Sequence, residues 1–185
     1  IFFTALFFWC YKKFIENSSW INTASLGIVA ACLLYSKYHG VLIVFFVLIS
    51  NLKLFTNYKT YIAGITALAC YIPHLIWQYN HDWVSFRYHL FESNVNPYKF
   101  SYTTEYIAGQ LLLAGPIAGI IIVPAALLYR AKGSFEKALK FTLVGLYIFF
   151  LISSSRGRVE ANWTSAAIIP LVILSHRFLS NKIKW

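Results

Sequence analysis

Long apolar blocks separated by short polar gaps are the feature that most limits what this sequence can fold into. The block at residues 60–79 is long enough to cross the hydrocarbon core of a bilayer, which takes about 20 residues of helix. Charged residues make up only 12% of the chain, against about 25% in a typical soluble domain. The sequence therefore predicts an all-α protein, a polytopic transmembrane helical bundle.

The apolar blocks and the gaps between them predict the layout of this bundle. Spans are expected at residues 1–11, 20–35, 41–55, 60–79, 106–129, 141–152 and 164–174. Outer loops are expected at residues 36–40, 80–103 and 153–163. The first block opens without Met and is too short to cross a bilayer, so we interpret residues 1–185 as a single transmembrane domain that is a fragment of a larger protein.

Lysine and arginine are unevenly divided between alternate loops, which predicts the orientation. One side carries Lys12, Lys13, Lys53, Lys59, Arg130, Lys132, Lys137, Lys140, Arg177, Lys182 and Lys184. The positive-inside rule assigns that side to the cytoplasm of a plasma (inner) membrane, and the opposite face to the periplasm or the cell exterior. The net charge of +10 is spread over short loops with no basic helix, so nucleic acid is not an expected partner.

The outer loops nevertheless hold titratable groups of both signs, which topology does not require there. Such groups are costly at a membrane boundary and tend to mark functional sites. The candidate substrate-binding residues are Lys37, His39, Arg87, Arg156 and Arg158. The two arginines flank Gly157, where the backbone is free to approach a ligand, and the guanidinium fork suits phosphate oxygens.

Other outer residues are candidates for proton transfer or metal binding. Asp82 and Glu160 are the candidate bases, and His81, His89 and Glu160 are possible ligands of a divalent metal. Residues 81–92 also show the spacing of an amphipathic helix that would lie in the membrane interface. The competing interpretations are an interfacial anchor for this helix, a structural salt bridge for the arginines and snorkelling for Lys37.

Inside the block at residues 60–79, Pro73 and His74 predict a kink or a packed polar contact. We assign His74 a structural role.

Three stretches together resemble a known family. Residues 33–40 (LLYSKYHG), 81–87 (HDWVSFR) and 157–163 (GRVEANW) are similar to bacterial members of the dolichyl-phosphate-mannose-protein mannosyltransferase superfamily, glycosyltransferase family 39, which includes the aminoarabinose transferases. The resemblance covers the C-terminal part of the family's membrane domain. It implies a GT-C fold, a sugar donor on a polyprenyl phosphate and an active site facing away from the cytoplasm.

The resemblance also implies roles for individual residues. Lys37 matches the family's lysine, and Arg87 lies in the loop that helps to hold the donor phosphate. The family's acidic catalytic residue would lie upstream of Ile1, and some relatives bind a metal nearby. The leading hypothesis is thus a membrane glycosyltransferase whose partners are a polyprenyl-phosphate-linked sugar and membrane lipids.

Two other classes of protein compete with the transferase. A transporter or lipid flippase would use the same charges as a substrate path, and should place some of them near the bilayer midplane. A structural membrane subunit would use them for stability alone.

Overall fold

The computed structural model describes residues 1–88 and 97–182, and over these ranges the chain is helical with no strand, which confirms the all-α class. The helices are α1 (Phe2–Glu16), α2 (Trp20–Ser36), α3 (Gly40–Ser50), α4 (Tyr58–Asn80), α5 (Val84–Arg87), α6 (Phe100–Leu113), α7 (Ala118–Leu128), α8 (Ser134–Ser153) and α9 (Ile168–Lys182). Short 3-10 turns lie at Leu52–Thr56, Ala161–Trp163 and Ser165–Ala167. The chain divides into two compact units, Ile1–Glu92 and Ser93–Trp185.

In the first unit, α2 packs against both α1 and α4. The two helices α2 and α4 approach closely at Gly27, where a Cβ atom would lie 2.6 Å from the Ala63 carbonyl oxygen. Small residues allow such an approach, which gains dispersion contacts along the line where α2 packs on α4, here called the α2–α4 seam. The largest fully buried side chains of α1 are Phe8, Tyr11 and Phe14.

The loops of the first unit meet at two opposite ends. At one end, the Asn57 amide donates to Ser18 Oγ at 3.0 Å, and the Lys59 ammonium donates to the Ser18 carbonyl and lies 5.2 Å from the Trp20 ring centre. At the other end, the α2–α3 turn meets the last turns of α4. The basic loops therefore lie at one end and the motif stretches 36–40 and 81–87 at the other.

In the second unit, the predicted span 106–129 is broken into α6 and α7, which are bent by 97°. The reason lies in the intervening sequence. Gly115 has a φ of +101°, and Pro116 has no N–H with which to continue a helical ladder. After the bend, Gly119 lies so close to the Leu111 carbonyl that no side chain would fit.

Other helix ends also differ from the predicted span ends. The block 41–55 is helical only to Ser50 and continues as a 3-10 turn, while α8 begins at Ser134 and α9 runs to Lys182. Helices continue past an apolar block because the backbone hydrogen bonds do not depend on side-chain polarity.

Within the described ranges, α4 is the single helix that has both the length and the composition to cross a membrane, and α6 with α7 adds a second if the bent pair is one span. Only 11% of the most apolar stretch of α4 is buried. Its exposed side chains include Ile65, Leu68, Ile72 and Ile76. An apolar helix that keeps such side chains exposed is suited to a lipid environment.

Candidate functional site

A hydrogen-bonded group of three side chains, here called the Tyr38 cluster, lies at the motif end of the first unit. It consists of Tyr38, His74 and Gln78. The Tyr38 hydroxyl lies 3.0 Å from His74 Nε2 and accepts from the Gln78 amide nitrogen at 2.7 Å, while that nitrogen lies 3.2 Å from His74 Nε2. The cluster joins the α2–α3 turn to the end of α4.

Helical spacing explains why α4 supplies two members of the cluster. Tyr71, His74 and Gln78 are three and four residues apart and share one face of the helix. The Tyr71 ring centre lies 5.0 Å from that of His74. The packed polar contact predicted at His74 is present. The contact of Gln78 with Tyr38 and His74 was not predicted from the sequence, although the four-residue spacing from His74 places both residues on one helix face.

A stack of aromatic rings lies beside the Tyr38 cluster. The Trp77 ring lies nearly parallel to those of His74 and His81, with centres 6.0 and 4.3 Å away. His81 Nδ1 lies 2.8 Å from the Trp77 carbonyl oxygen. One nitrogen of His81 is therefore engaged with the backbone, which leaves Nε2 for other partners.

The described residues give no three-ligand metal site. No three His, Cys, Asp or Glu side chains in residues 1–88 and 97–182 come together as ligands would. His89 lies outside these ranges. Of the three predicted metal ligands, the structure thus describes His81, in the first unit, and Glu160, in the second.

The segment after α4 forms a turn before it becomes helical. The sequence predicted a helix over residues 81–92, but His81, Asp82 and Trp83 form a turn and α5 begins at Val84. Asp82 and Trp83 have φ angles of 53° and 56°, in the left-handed region that is unfavourable for a bulky residue such as Trp. Residues 89–96 of the predicted helix and loop lie outside the described ranges.

Backbone strain of this kind is most often kept where it serves a site. Asp82, one of the two candidate bases, is exposed in this turn.

Three predicted substrate-binding residues lie at this end of the first unit. Lys37 caps the C-terminus of α2 and is half-buried, and His39 precedes α3. Arg87 is exposed at the end of α5. Burial lowers the pKa of the Lys37 ammonium, because water no longer fully solvates its charge.

Contacts join the two motif stretches of this unit. The Tyr38 and Phe86 ring centres are 5.5 Å apart, and the Ser85 backbone N–H donates to Gln78 Oε1 at 3.4 Å. Lys37 and Arg87 are thus carried by segments that pack on one another. Lysine and arginine both bind phosphate oxygens, lysine as a point charge and arginine as a planar fork.

The third motif stretch, residues 153–163, lies in the second unit. Arg158 Nε lies 3.3 Å from Glu105 Oε2, and both side chains are more than half exposed. Of the interpretations offered for the two arginines, the structural salt bridge is therefore present for Arg158, with Glu105 as the partner. Arg156 and Glu160 are exposed in the chain that follows α8.

Buried hydroxyls fix the start of this stretch. Ser154 is fully buried, and its hydroxyl lies 3.1 Å from that of Thr103 at the start of α6. The Phe150 and Trp163 ring centres are 6.1 Å apart, which ties the far end of the stretch back to α8. The arginines therefore extend from an anchored turn.

Known proteins do not decide between the possible roles of these residues. Comparisons of the chain with protein-family models, with curated proteins and with solved structures found no match. A functional proposal therefore depends on the three motif stretches and on the geometry of the two units.

Proposed function

We propose that the protein is a polytopic membrane glycosyltransferase of the GT-C type, related to glycosyltransferase family 39. It would move a sugar from a polyprenyl-phosphate donor to an acceptor at the non-cytoplasmic face of the plasma membrane. The observation that carries the proposal is the packing of the Lys37 and Arg87 stretches at one end of the first unit, opposite the basic loops.

The chemistry places a simple demand on these cations. The bond between the sugar's anomeric carbon and the phosphate oxygen breaks, and its electron pair leaves with the polyprenyl phosphate. The acceptor oxygen forms the new bond and gives its proton to a base. Lys37 and Arg87 would stabilise the negative charge that grows on the leaving phosphate, and Arg156 and Arg158 are the candidates for this role in the second unit.

The acceptor oxygen also needs a base. The family resemblance implies an acidic residue in this role. Within this chain, Asp82 and Glu160 are both exposed carboxylates close in sequence to the proposed phosphate ligands.

The position of the charges favours an enzyme over a transporter or lipid flippase. Transporters bind substrates near the bilayer midplane, where helices are interrupted. Here α2, α3 and α7 contain no Lys, Arg, Asp or Glu, and Lys37 and Arg87 lie at helix ends.

Release of polyprenyl phosphate from a labelled donor tests the proposal. The assay uses the protein expressed at full length in membrane vesicles, with a panel of polyprenyl-phosphate sugars. We expect release by wild type and a loss of at least about tenfold in Lys37→Ala and Arg158→Ala, or about 1.4 kcal/mol of transition-state stabilisation. Lys132→Ala, at a basic loop, is the matched control and should release polyprenyl phosphate normally.

A different outcome would move the assignment to the transporter class. No release with any donor, together with sugar-independent movement of lipid or solute across the vesicle membrane, contradicts the transferase. An equal loss of polyprenyl phosphate release in Lys37→Ala and Lys132→Ala would show that the loss follows from the change in net charge and not from damage to a phosphate site.

A further inference from the structure

We propose that Gln78 is a positioning residue that holds the Lys37 and Arg87 stretches together as one phosphate-binding end. This inference rests on the proposed transferase function, and it assigns to that function a residue outside the three motif stretches. Gln78 would not touch the substrate. It would act through the two segments that its side chain joins.

The Gln78 side chain is fully buried and uses both ends of its amide. Its Oε1 accepts from the Ser85 backbone N–H at 3.4 Å, and its Nε2 donates to the Tyr38 hydroxyl at 2.7 Å. A buried amide that lost these partners would carry the full desolvation cost of its unpaired groups. The link that Gln78 forms between Ser85 and Tyr38, here called the bridge, is therefore stabilised by the cost of breaking it.

The acceptor end of Gln78 supports α5. The first N–H groups of a helix have no partner within the helix and usually bond to a capping side chain. The N-cap residue of α5, Trp83, makes no such side-chain bond. Gln78 Oε1 takes that role from the preceding helix, and its backbone carbonyl also accepts from the N–H groups of His81 and Trp83 at 3.1 and 2.8 Å.

The position of Arg87 follows from this support. Arg87 is the last residue of α5, and its N–H donates to the Trp83 carbonyl at 2.9 Å. Loss of the Gln78 cap should loosen the whole turn from Val84 to Arg87.

The donor end of Gln78 supports the α2–α3 turn. Tyr38 directly follows Lys37, and the Lys37 carbonyl accepts from the Gly40 N–H at 2.8 Å, which closes a tight turn. The Tyr38 ring is also in contact with Phe86. A fixed Tyr38 therefore limits where the Lys37 ammonium can go.

Amide hydrogen exchange tests the bridge without any substrate. Gln78→Leu keeps much of the side-chain bulk and removes the contacts of the amide with Ser85, Tyr38 and His74. Tyr38→Phe removes the hydroxyl that Gln78 and His74 share and keeps the Gln78–Ser85 bond. Gln110→Leu is the matched control, since Gln110 is also buried, at 8% exposure, but its amide bonds the Tyr106 carbonyl of its own helix. We expect exchange at residues 84–87 to speed up at least about tenfold in Gln78→Leu, less in Tyr38→Phe and not in Gln110→Leu.

A double-mutant cycle tests whether the bridge serves the phosphate site. Gln78→Leu is combined with Arg87→Ala, and polyprenyl phosphate release is measured with kcat and KM separated. We expect Gln78→Leu to lower kcat about tenfold in the wild-type background and less than about twofold when Arg87 is already absent, since contacting residues that act together are not additive. A purely structural role would give the same loss in both backgrounds.

The two experiments separate failure of the inference from failure of the proposed function. Unchanged exchange at residues 84–87 in Gln78→Leu overturns the bridge, whatever the activity. Faster exchange with additive losses of kcat overturns the positioning role alone. A wild type that releases no polyprenyl phosphate overturns the proposed function and with it the positioning role, while the exchange result still decides whether the bridge exists.

Discussion

At the scale of single residues, Lys37 shows most clearly how position changes chemistry. It is one of many lysines in the sequence, yet it caps α2 in a half-buried setting that lowers its pKa. A weakly solvated ammonium is a better partner for a phosphate than a fully hydrated one, because less water must be removed when the anion binds.

The lowered pKa of Lys37 predicts an early alkaline limit of activity. Only the protonated amine stabilises phosphate, so kcat/KM should fall at a pH below the 10.5 of an ordinary lysine. Lys37→Arg should move this limit upward, since arginine stays charged. The pH profile of polyprenyl phosphate release for the two proteins measures the effect, and identical alkaline limits would rule out Lys37 as the titrating group.

The same shift has a consequence for stability, with a defined sign. The unfolded chain holds the Lys37 proton up to pH 10.5, whereas the folded chain releases it earlier. The unfolded state binds more protons in that window, so the contribution of Lys37 to the free energy of unfolding rises with pH there.

The Arg158–Glu105 ion pair predicts a small effect on stability. Exposed pairs of this kind contribute about 0–1 kcal/mol, because water and salt screen them. Glu105→Gln and Arg158→Ala should therefore change the free energy of unfolding by less than about 1 kcal/mol. Denaturant unfolding in detergent checks this, and a larger loss in Arg158→Ala would attribute its activity defect to folding.

At the scale of secondary structure elements, the α2–α4 seam organises the first unit. It brings the α2–α3 turn against the last turns of α4, which is how Tyr38 reaches His74 and Gln78. The seam depends on the absence of a side chain at Gly27. Packed interiors tolerate little added volume, so this contact is sensitive to a single methyl group.

Alanine substitutions at Gly27, in the seam, and at Gly64, at an exposed position of α4, should have opposite effects. In Gly27→Ala the new methyl would meet Ala63 and Thr66, with contacts as short as 2.6 and 2.7 Å, and should cost about 1–3 kcal/mol. Gly64→Ala is the control, since its methyl meets nothing within 4 Å and helix propensity favours alanine by up to about 1 kcal/mol. Thermal unfolding of both variants in detergent is the measurement, and an unchanged Tm for Gly27→Ala would show that the seam opens without cost.

Lys140 caps the C-terminal end of α7. Its ammonium donates to the carbonyls of Ala126 and Leu127, at 2.8 and 2.5 Å, which would otherwise lack partners at the end of the helix. Lys140→Met should therefore lower the Tm, whereas Lys137→Met, at an exposed position three residues earlier, should not. Equal Tm values for the two variants would contradict the capping role.

At the scale of the whole molecule, both units separate their charges in the same way. In the second unit, Tyr129 and Glu136 join the end of α7 to the start of α8, and Arg177 lies 3.8 Å from Glu136. The other end holds the Arg158–Glu105 pair. Each unit thus has an end with basic loops and an end with a motif stretch.

Accessibility of single cysteines tests this orientation across a membrane. Cys10, Cys32 and Cys70 are first replaced by alanine, and cysteine is then introduced at Arg156 or at Lys132. In intact spheroplasts we expect a membrane-impermeant maleimide to label the position of Arg156 and not that of Lys132. Both should react after permeabilisation, and the reverse pattern would invert the proposed topology.

The sequence by itself determined the helical class, because the length of the apolar blocks and the scarcity of charge are properties of residue order and composition and need no tertiary contact. It also located the loops that carry titratable groups, since polar gaps in an apolar chain are local features. It did not predict the break between α6 and α7, although Gly115 and Pro116 were visible, because a Gly-Pro pair is compatible with a kink as well as with a 97° bend.

The tertiary structure alone decided which side chains meet. Lys37 and Arg87 were expected in a common site from their shared side of the membrane, but only the packing of α2 on α4 places Tyr38 on Gln78 and Gln78 on Ser85. Gln78 carries no charge and belongs to no motif, so nothing local in the sequence marks it as a link. A hydrogen bond between residues 40 positions apart depends on how helices approach, and α2 lies so close to α4 at Gly27 that a side chain there would meet the Ala63 carbonyl.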